Sequence, residues 1–245
     1  MRLSRIFIDQ EIQPGSEIGL PPDKAHYVKH VLRLKNLNEI IIFNGREPQD
    51  YLAEIFFQGK QVSARVNSAY EKNNDSAITI NLIQAIGKSE HMDFIIQKAT
   101  ELGINRFQLF NAQRTQSPLK DKRLEKKLNH WKGIAISACE QCNRNTIPEI
   151  VFAINLNRII NITSSNNRLI LDFHGKTFSA LYPELDPQKN FDLLVGCEGG
   201  FTEDEINLAG EHGFTGFSCG PRTLRMETSA ISVVTIVQHH FGDMR

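Results

Sequence analysis

From residue 78 onward the chain alternates short apolar runs with stretches of helical period, and this alternation constrains the fold more than any other feature. Residues 78–85, 104–110, 168–173, 191–195 and 214–218 are apolar runs of strand length. Between the first two, residues 89–102 place Met92, Ile95, Ala99 and Leu102 on one helical face, with Gly103 as the stop. Residues 121–139 carry Leu124, Leu128, Trp131, Ala135 and Ala138 at the spacing of a buried stripe, so Trp131 reads as core. A last helix over 228–241 buries Ala230, Val233, Val234, Val237 and Phe241. Strands alternating with helices predict an α/β domain around a mostly parallel sheet.

The first 70 residues follow a different pattern. Ile6-Phe7-Ile8, Ile40-Ile41-Ile42-Phe43, Leu52-Ala53-Glu54-Ile55 and Val62-Ser63-Ala64-Arg65-Val66 are β-rich. The pairs Pro14-Gly15, Asn44-Gly45 and Gln58-Gly59 mark turns, and one short helix is expected over 24–31. This predicts a small β-barrel domain over 1–70. The polar, aperiodic Glu71-Lys72-Asn73-Asn74-Asp75-Ser76 reads as a linker, and 77–245 as the second domain.

Net charge is +0, but its distribution is uneven. Lys24, Lys29, Arg33 and Lys35, with His26 and His30, form one basic stretch; Arg114, Lys120, Lys122, Arg123, Lys126, Lys127 and Lys132 form another. The acids come late, among them Glu184, Asp186, Asp192, Glu203, Asp204 and Glu211. Such asymmetry can make a local phosphate-binding face on a neutral protein, or a solvated helix face. No run approaches the roughly 20 apolar residues of a membrane helix. Met1-Arg2-Leu3-Ser4-Arg5-Ile6-Phe7 lacks the apolar stretch of a signal peptide, so a cytoplasmic protein without a membrane partner is expected. Cys139 and Cys142 form a C-x-x-C late in a helix, without the second pair or histidines of a zinc site. Reduced thiols and no metal are expected.

Two loops carry candidate chemistry. Phe191-Asp192-Leu193-Leu194-Val195 runs into Gly196-Cys197-Glu198-Gly199-Gly200, and Thr202 then caps a helix with Glu205 closing a capping box. A strand, a glycine turn and a helix make a corner where a ligand can approach the backbone closely. The spacing is not that of a dinucleotide fingerprint, and Gly87-Lys88-Ser89 lacks the earlier glycine of a phosphate-binding P-loop. The second loop, Ser218-Cys219-Gly220-Pro221-Arg222-Thr223-Leu224-Arg225-Met226-Glu227-Thr228, leads into the last helix. The two strand ends are expected side by side, with Glu198, Arg222, Arg225 and Glu227 between them. Arginines so placed hold a phosphate, stabilise a developing anion, or merely fix the loop through carboxylates.

These two motifs strongly resemble the RsmE family of 16S ribosomal RNA uridine-N3 methyltransferases, of the SPOUT superfamily. The resemblance continues in Ile96-Gln97-Lys98-Ala99-Thr100-Glu101-Leu102-Gly103, in Ala138-Cys139-Glu140-Gln141-Cys142-Asn143-Arg144 and in Arg5-Ile6-Phe7, and covers essentially the whole chain in order. It implies a PUA-like RNA-binding β-barrel followed by a SPOUT α/β domain with a C-terminal trefoil knot. It also implies a homodimer acting on 16S rRNA in the 30S subunit, with S-adenosylmethionine as cofactor. Carried over by position, the cofactor residues are Leu171, Asp172 and Phe173; Gly196, Cys197, Glu198, Gly199 and Gly200; and Ser218, Cys219, Gly220 and Leu224. Cys197 stands where the family usually has proline, and Met226 where it usually has threonine.

Methylation of uracil N3 requires removal of its proton, which spreads charge to the ring oxygens. Arg225, and Arg222 after it, are the candidates to stabilise that anion. Glu227 is the candidate base or the orienter of Arg225. RNA grip is expected from Arg5, Lys24, Lys29, Arg33, Arg114, Lys126 and Lys127. The alternatives are a nucleotide-using α/β enzyme of another class and a non-catalytic RNA-binding assembly factor.

Overall fold

The computed structural model describes residues 3–59, 61–162, 165–187 and 190–244. Met1 and Arg2, read above in the N-terminal stretch, lie outside them. The chain forms two compact units, Met1–Asp75 with Ile136–Ile147, and Ser76–Ala135 with Pro148–Arg245. The grouping of 136–147 with the N-terminal residues has no counterpart in the sequence pattern.

In the first unit, β1 (Arg5–Phe7), β2 (Glu17–Gly19), β3 (Glu39–Phe43), β4 (Gln49–Gln58) and β5 (Gln61–Glu71) form one sheet in the order β1-β3-β4-β5-β2. β1 pairs with β3 in parallel, and the other pairs are antiparallel. Inward positions recur with period two, and Ile6, Ile40, Ile42, Ala53, Ile55, Val62, Ala64 and Val66 pack into one apolar cluster. Helix α1 (Pro22–His26) opens on proline, whose missing N–H costs nothing in a first turn. It continues as a π turn over Tyr27–Val31, so that helical residues cover the one short helix expected over 24–31.

Arg5 organises this unit from within. It is 5% exposed, and its guanidinium donates to Asp50 Oδ1 at 2.7 Å, the Cys139 carbonyl at 2.9 Å and Asn145 Oδ1 at 3.1 Å while lying over the Phe43 ring. The Arg5 and Cys139–Arg144 stretches that the family resemblance picks out thus meet in one buried network. Arg5 therefore offers no charge to a phosphate, which corrects its expected place among the RNA contacts. Lys24 is committed too, at 2.6 Å from Glu140.

The second unit is built on β6 (Ile80–Ala85), β7 (Arg106–Phe110), β8 (Glu149–Ala153), β9 (Asn167–Thr177), β10 (Phe191–Val195) and β11 (Thr215–Ser218). They form one sheet in the order β11-β9-β10-β6-β7-β8, parallel at every pair. β8 is half-exposed at the edge, too weak a pattern to be read from sequence. The helices are α2 (Ser89–Glu101), α3 (Asp121–Cys142, of which 136–142 belong to the first unit), α4 (Leu156–Ile160), α5 (Phe178–Leu181), α6 (Glu203–Glu211) and α7 (Met226–Phe241). Central β10 is buried at all positions, and Ala230, Val233, Val234, Val237 and Phe241 of α7 are buried as expected. Among the described residues no helix is long and apolar enough to cross a membrane.

Two features of this sheet shape the site. The order reverses between β6 and β10, since β7 and β8 continue on one side and β9 and β11 lie on the other; ligands of open parallel sheets collect at strand C-termini beside such a point. In addition, β9 pairs with β10 only as far as Ile170, and its register with β11 jumps from Ile170↔Gly216 to Lys176↔Phe217. The intervening Leu171, Asp172, Phe173, His174 and Gly175 leave the ladder as a bulge. The strands β10 and β11 are therefore not side by side, contrary to expectation, because β9 lies between them, although the loops that follow them line one cavity.

Candidate active site

At these strand ends lies a cavity of about 930 Å³, within the range of small-molecule sites. Every residue expected at the cofactor lines it: Leu171, Asp172 and Phe173 from the bulge, Gly196, Cys197, Glu198, Gly199 and Gly200 from the β10 loop, and Ser218, Cys219, Gly220 and Leu224 from the β11 loop. Arg222, Arg225 and Glu227 line it as well.

Local chemistry fixes each wall. The capping box of α6 forms as read, and Glu205 Oε1 also accepts the Gln113 amide, which ties the loop after β7 to the helix start. The bulge closes back where Gly175 passes over the Gly216–Phe217 backbone, and a Cβ on Gly216 would stand 3.3 Å from the Gly175 Cα. Gly220 sits at φ +106, a conformation natural to glycine, with nothing within 4 Å of an added Cβ. Gly199 is different: a Cβ there would meet the Arg114 side chain at 3.0 Å rather than the cavity. Arg114, expected on the RNA, also donates to the Gly199 carbonyl at 3.0 Å and lines this cavity.

The electrostatics are uneven. Glu198 loses hydration by burial, yet the Lys88 amide, its own amide and the His91 ring outweigh that and hold its carboxyl below the usual range. Lys88 donates to Glu198 Oε1 at 2.9 Å, and His91 Nδ1 lies 3.0 Å from the same oxygen. Burial pushes the Cys219 thiol up to about 11, and raises Cys197 as well, so neither is a nucleophilic thiolate near neutrality. Arg222 and Arg225 are exposed, with no side-chain hydrogen bond or ion pair among the described residues. Glu227 is not bonded to Arg225; the basic side chain beside it is His91, whose Nδ1 is 3.7 Å from Oε2.

His91 was missed in the sequence. The available signal was position: Gly87-Lys88-Ser89-Glu90-His91 follows a strand and opens a helix, as the two recognised loops do. The other basic residues differ in exposure. Lys29, Arg33 and Lys126 are exposed, while Lys127 is engaged by Ser89 and the Trp131 ring.

A family described as the RNA methyltransferase domain matches residues 74–238. The chain belongs to this RNA methyltransferase family. Among full-length relatives, the ribosomal RNA small subunit methyltransferase E of Buchnera aphidicola (subspecies Schizaphis graminum) is 36% identical over 253 residues, covering 99% of this chain and 98% of its own. A Legionella pneumophila methyltransferase solved in complex with the bound cofactor SAM is 36% identical, with a TM-score of 0.93 over 99% of this chain and 100% of that one. The Neisseria gonorrhoeae ribosomal RNA small subunit methyltransferase E, bound to S-adenosyl methionine, is 29% identical with a TM-score of 0.90 over 100% of both chains. The cysteine at 197 is accommodated in this chain: it is 6% exposed, with Sγ 3.8 Å from the Gly200 carbonyl.

Proposed function

We propose that this protein transfers a methyl group from S-adenosylmethionine to N3 of a uridine in 16S rRNA of the small ribosomal subunit. The observation that carries the reading is the cavity whose walls are the bulge of β9 and the loops after β10 and β11, in a fold shared with cofactor-bound methyltransferases. Its residues fit the cofactor. The open space beside Gly220 leaves backbone accessible, and no charged side chain other than Glu198 and Asp172 stands in those three loops up to Gly220. Leu171, Phe173, Gly196 and Leu224 would hold it. The bound cofactor supplies an activated methyl group on a sulfonium.

The protein's own task is to hold the uracil and take its proton. Glu227 is assigned as proton acceptor, since it faces the cavity and is not consumed as a partner of Arg225. Arg225 stabilises the charge that spreads over the ring oxygens, with Arg222 beside it. Both guanidiniums are exposed and uncommitted, as groups awaiting an anion must be. N3 is a pairing position, so the base must be unpaired or flipped to enter.

The same reading treats residues 1–70 as a PUA-like RNA-binding barrel, 71–76 as a linker and 77–245 as a SPOUT domain with a trefoil knot. Support for the barrel's role is a groove of about 770 Å³ lined by Pro21, His26, Lys29 and His30, where the two histidine rings lie 4.6 Å apart. A cytoplasmic homodimer completes the reading. The apolar residues of α7 are buried within their own unit, so the support on the surface is the exposed Phe173 and Tyr182. The deciding experiment is tritium transfer from labelled S-adenosylmethionine to 30S subunits, followed by mass spectrometry of the nucleosides. Label in N3-methyluridine is expected; cofactor binding without transfer would favour an assembly factor.

A further inference from the structure

His91 stands at the centre of a charged cluster. It lies in the first turn of α2 with its side chain 19% exposed. Nδ1 is 3.0 Å from Glu198 Oε1 and 3.7 Å from Glu227 Oε2, and Nε2 is 3.8 Å from Glu90 Oε1. Glu90 is largely in water, where a pair of this length contributes little. Glu227 is otherwise placed. Its Oε2 is buried and accepts no hydrogen bond. A buried carboxylate oxygen without a partner is costly, and the His91 ring within 4 Å is the group the structure places to compensate it. Among the described residues no group of three or more histidine, cysteine or acidic side chains is arranged to hold a metal ion.

The two carboxylates come from different elements, the loop after β10 and the first turn of α7. A neutral ring with one proton on Nδ1 would serve Glu198 and offer Glu227 no net charge; an imidazolium offers its positive charge to both carboxylates that meet at Nδ1. We propose that His91, as imidazolium, is the positioning residue of Glu227, the shared cation that holds this carboxylate beside Glu198 of the cofactor loop. The proposal rests on the assignment of Glu227 as proton acceptor. In the step it serves, the uracil N3–H bond breaks, an O–H bond forms on Glu227, and the electron pair stays on N3 for the methyl group. His91 keeps its own protons throughout and remains bound to Glu198.

Two substitutions separate charge from shape. His91→Gln keeps a donor without charge, and His91→Lys restores a cation without the ring. Single-turnover transfer to 30S subunits is expected to fall roughly 10–100-fold in His91→Gln, less than the roughly 10²–10⁴-fold effect of general acid–base catalysis itself. Cofactor affinity should stay close to wild type, melting temperature should fall because the Glu227 carboxylate loses its compensation, and His91→Lys should recover most of the rate and of the melting temperature. Wild-type turnover in His91→Gln, or no recovery in His91→Lys, overturns the proposal. A second readout needs no activity. In the cofactor-free, nitrogen-15-labelled protein at neutral pH, His91 should carry protons on both ring nitrogens, with the Nδ1 proton protected from exchange until Glu198→Gln releases it. A singly protonated ring overturns the bridge. A wild-type protein that moves no methyl group would instead overturn the functional reading, and the ring spectrum would still decide the bridge.

Discussion

Arg225 and Arg5 have the same side chain and opposite situations. Arg225 is exposed, unpaired and at the cavity, so its removal should leave the fold alone. Arg225→Ala is expected to lower single-turnover rate by roughly 10²–10³-fold, the size of losing one anion-stabilising donor, with unchanged melting temperature and cofactor affinity. Arg5 is buried against Asp50, and breaking a buried pair from one side strands the other charge. Arg5→Ala should cost about 3–5 kcal/mol in denaturant unfolding and leave the salt dependence of RNA binding as it was. Glu198 gives a third expectation, in pH. Its folded carboxyl titrates below the usual range, so it contributes stability above its unfolded value and loses it as pH falls through the folded one. The stability gap between wild type and Glu198→Gln should therefore close in the acid limb below the usual carboxylate range, and persist at neutral pH. The sequence marked all three residues but could not distinguish their surroundings. Burial of Arg5 depends on Asp50 and Asn145, 45 and 140 positions away, and no local pattern encodes that meeting.

The elements themselves were legible where one period ran long enough. The stripe of α3, the capping box of α6 and the apolar run of β10 each follow from local spacing. Strand order was not legible, because parallel neighbours are chosen by crossover packing rather than by the strands' own residues. The bulge in β9 was invisible for a related reason, since a register jump belongs to a pair of strands. It is nonetheless the element that brings Leu171, Asp172 and Phe173 to the cavity. Gly175 closes it, and an added Cβ would collide with the Gly216–Phe217 backbone, which cannot yield as a flexible side chain would. Gly175→Ala is expected to cost about 1–3 kcal/mol, the range for overpacking, and to weaken cofactor binding measured by calorimetry. Full stability with normal binding would show that the bulge has room its register denies.

A chain with a net charge of +0 must bind RNA through where its charge lies, not how much it has. The structure thins the basic residues that were candidates. Arg5 and Lys24 are committed inside the first unit, Lys127 is engaged by Ser89 and Trp131, and Arg114 is bonded to the Gly199 carbonyl. Lys29, Arg33 and Lys126 are left exposed, and they are the ones to test. Each phosphate neutralised releases condensed counterions, so the slope of log affinity against log salt falls by about 0.7–0.9 per contact. If all three touch phosphates, Lys29→Ala, Arg33→Ala and Lys126→Ala combined should flatten the slope for 30S binding by roughly 2–3. Cofactor affinity should not change, because none of the three lines the cavity. Arg5→Met in the same titration serves as the opposite control, with altered stability and an unaltered slope. A triple variant with the wild-type slope would mean that these charges are a solvated surface, and that the RNA is held by Arg222 and Arg225 at the site itself. That outcome would concentrate recognition and catalysis on one loop, and Arg225→Ala would then weaken 30S binding as well as turnover.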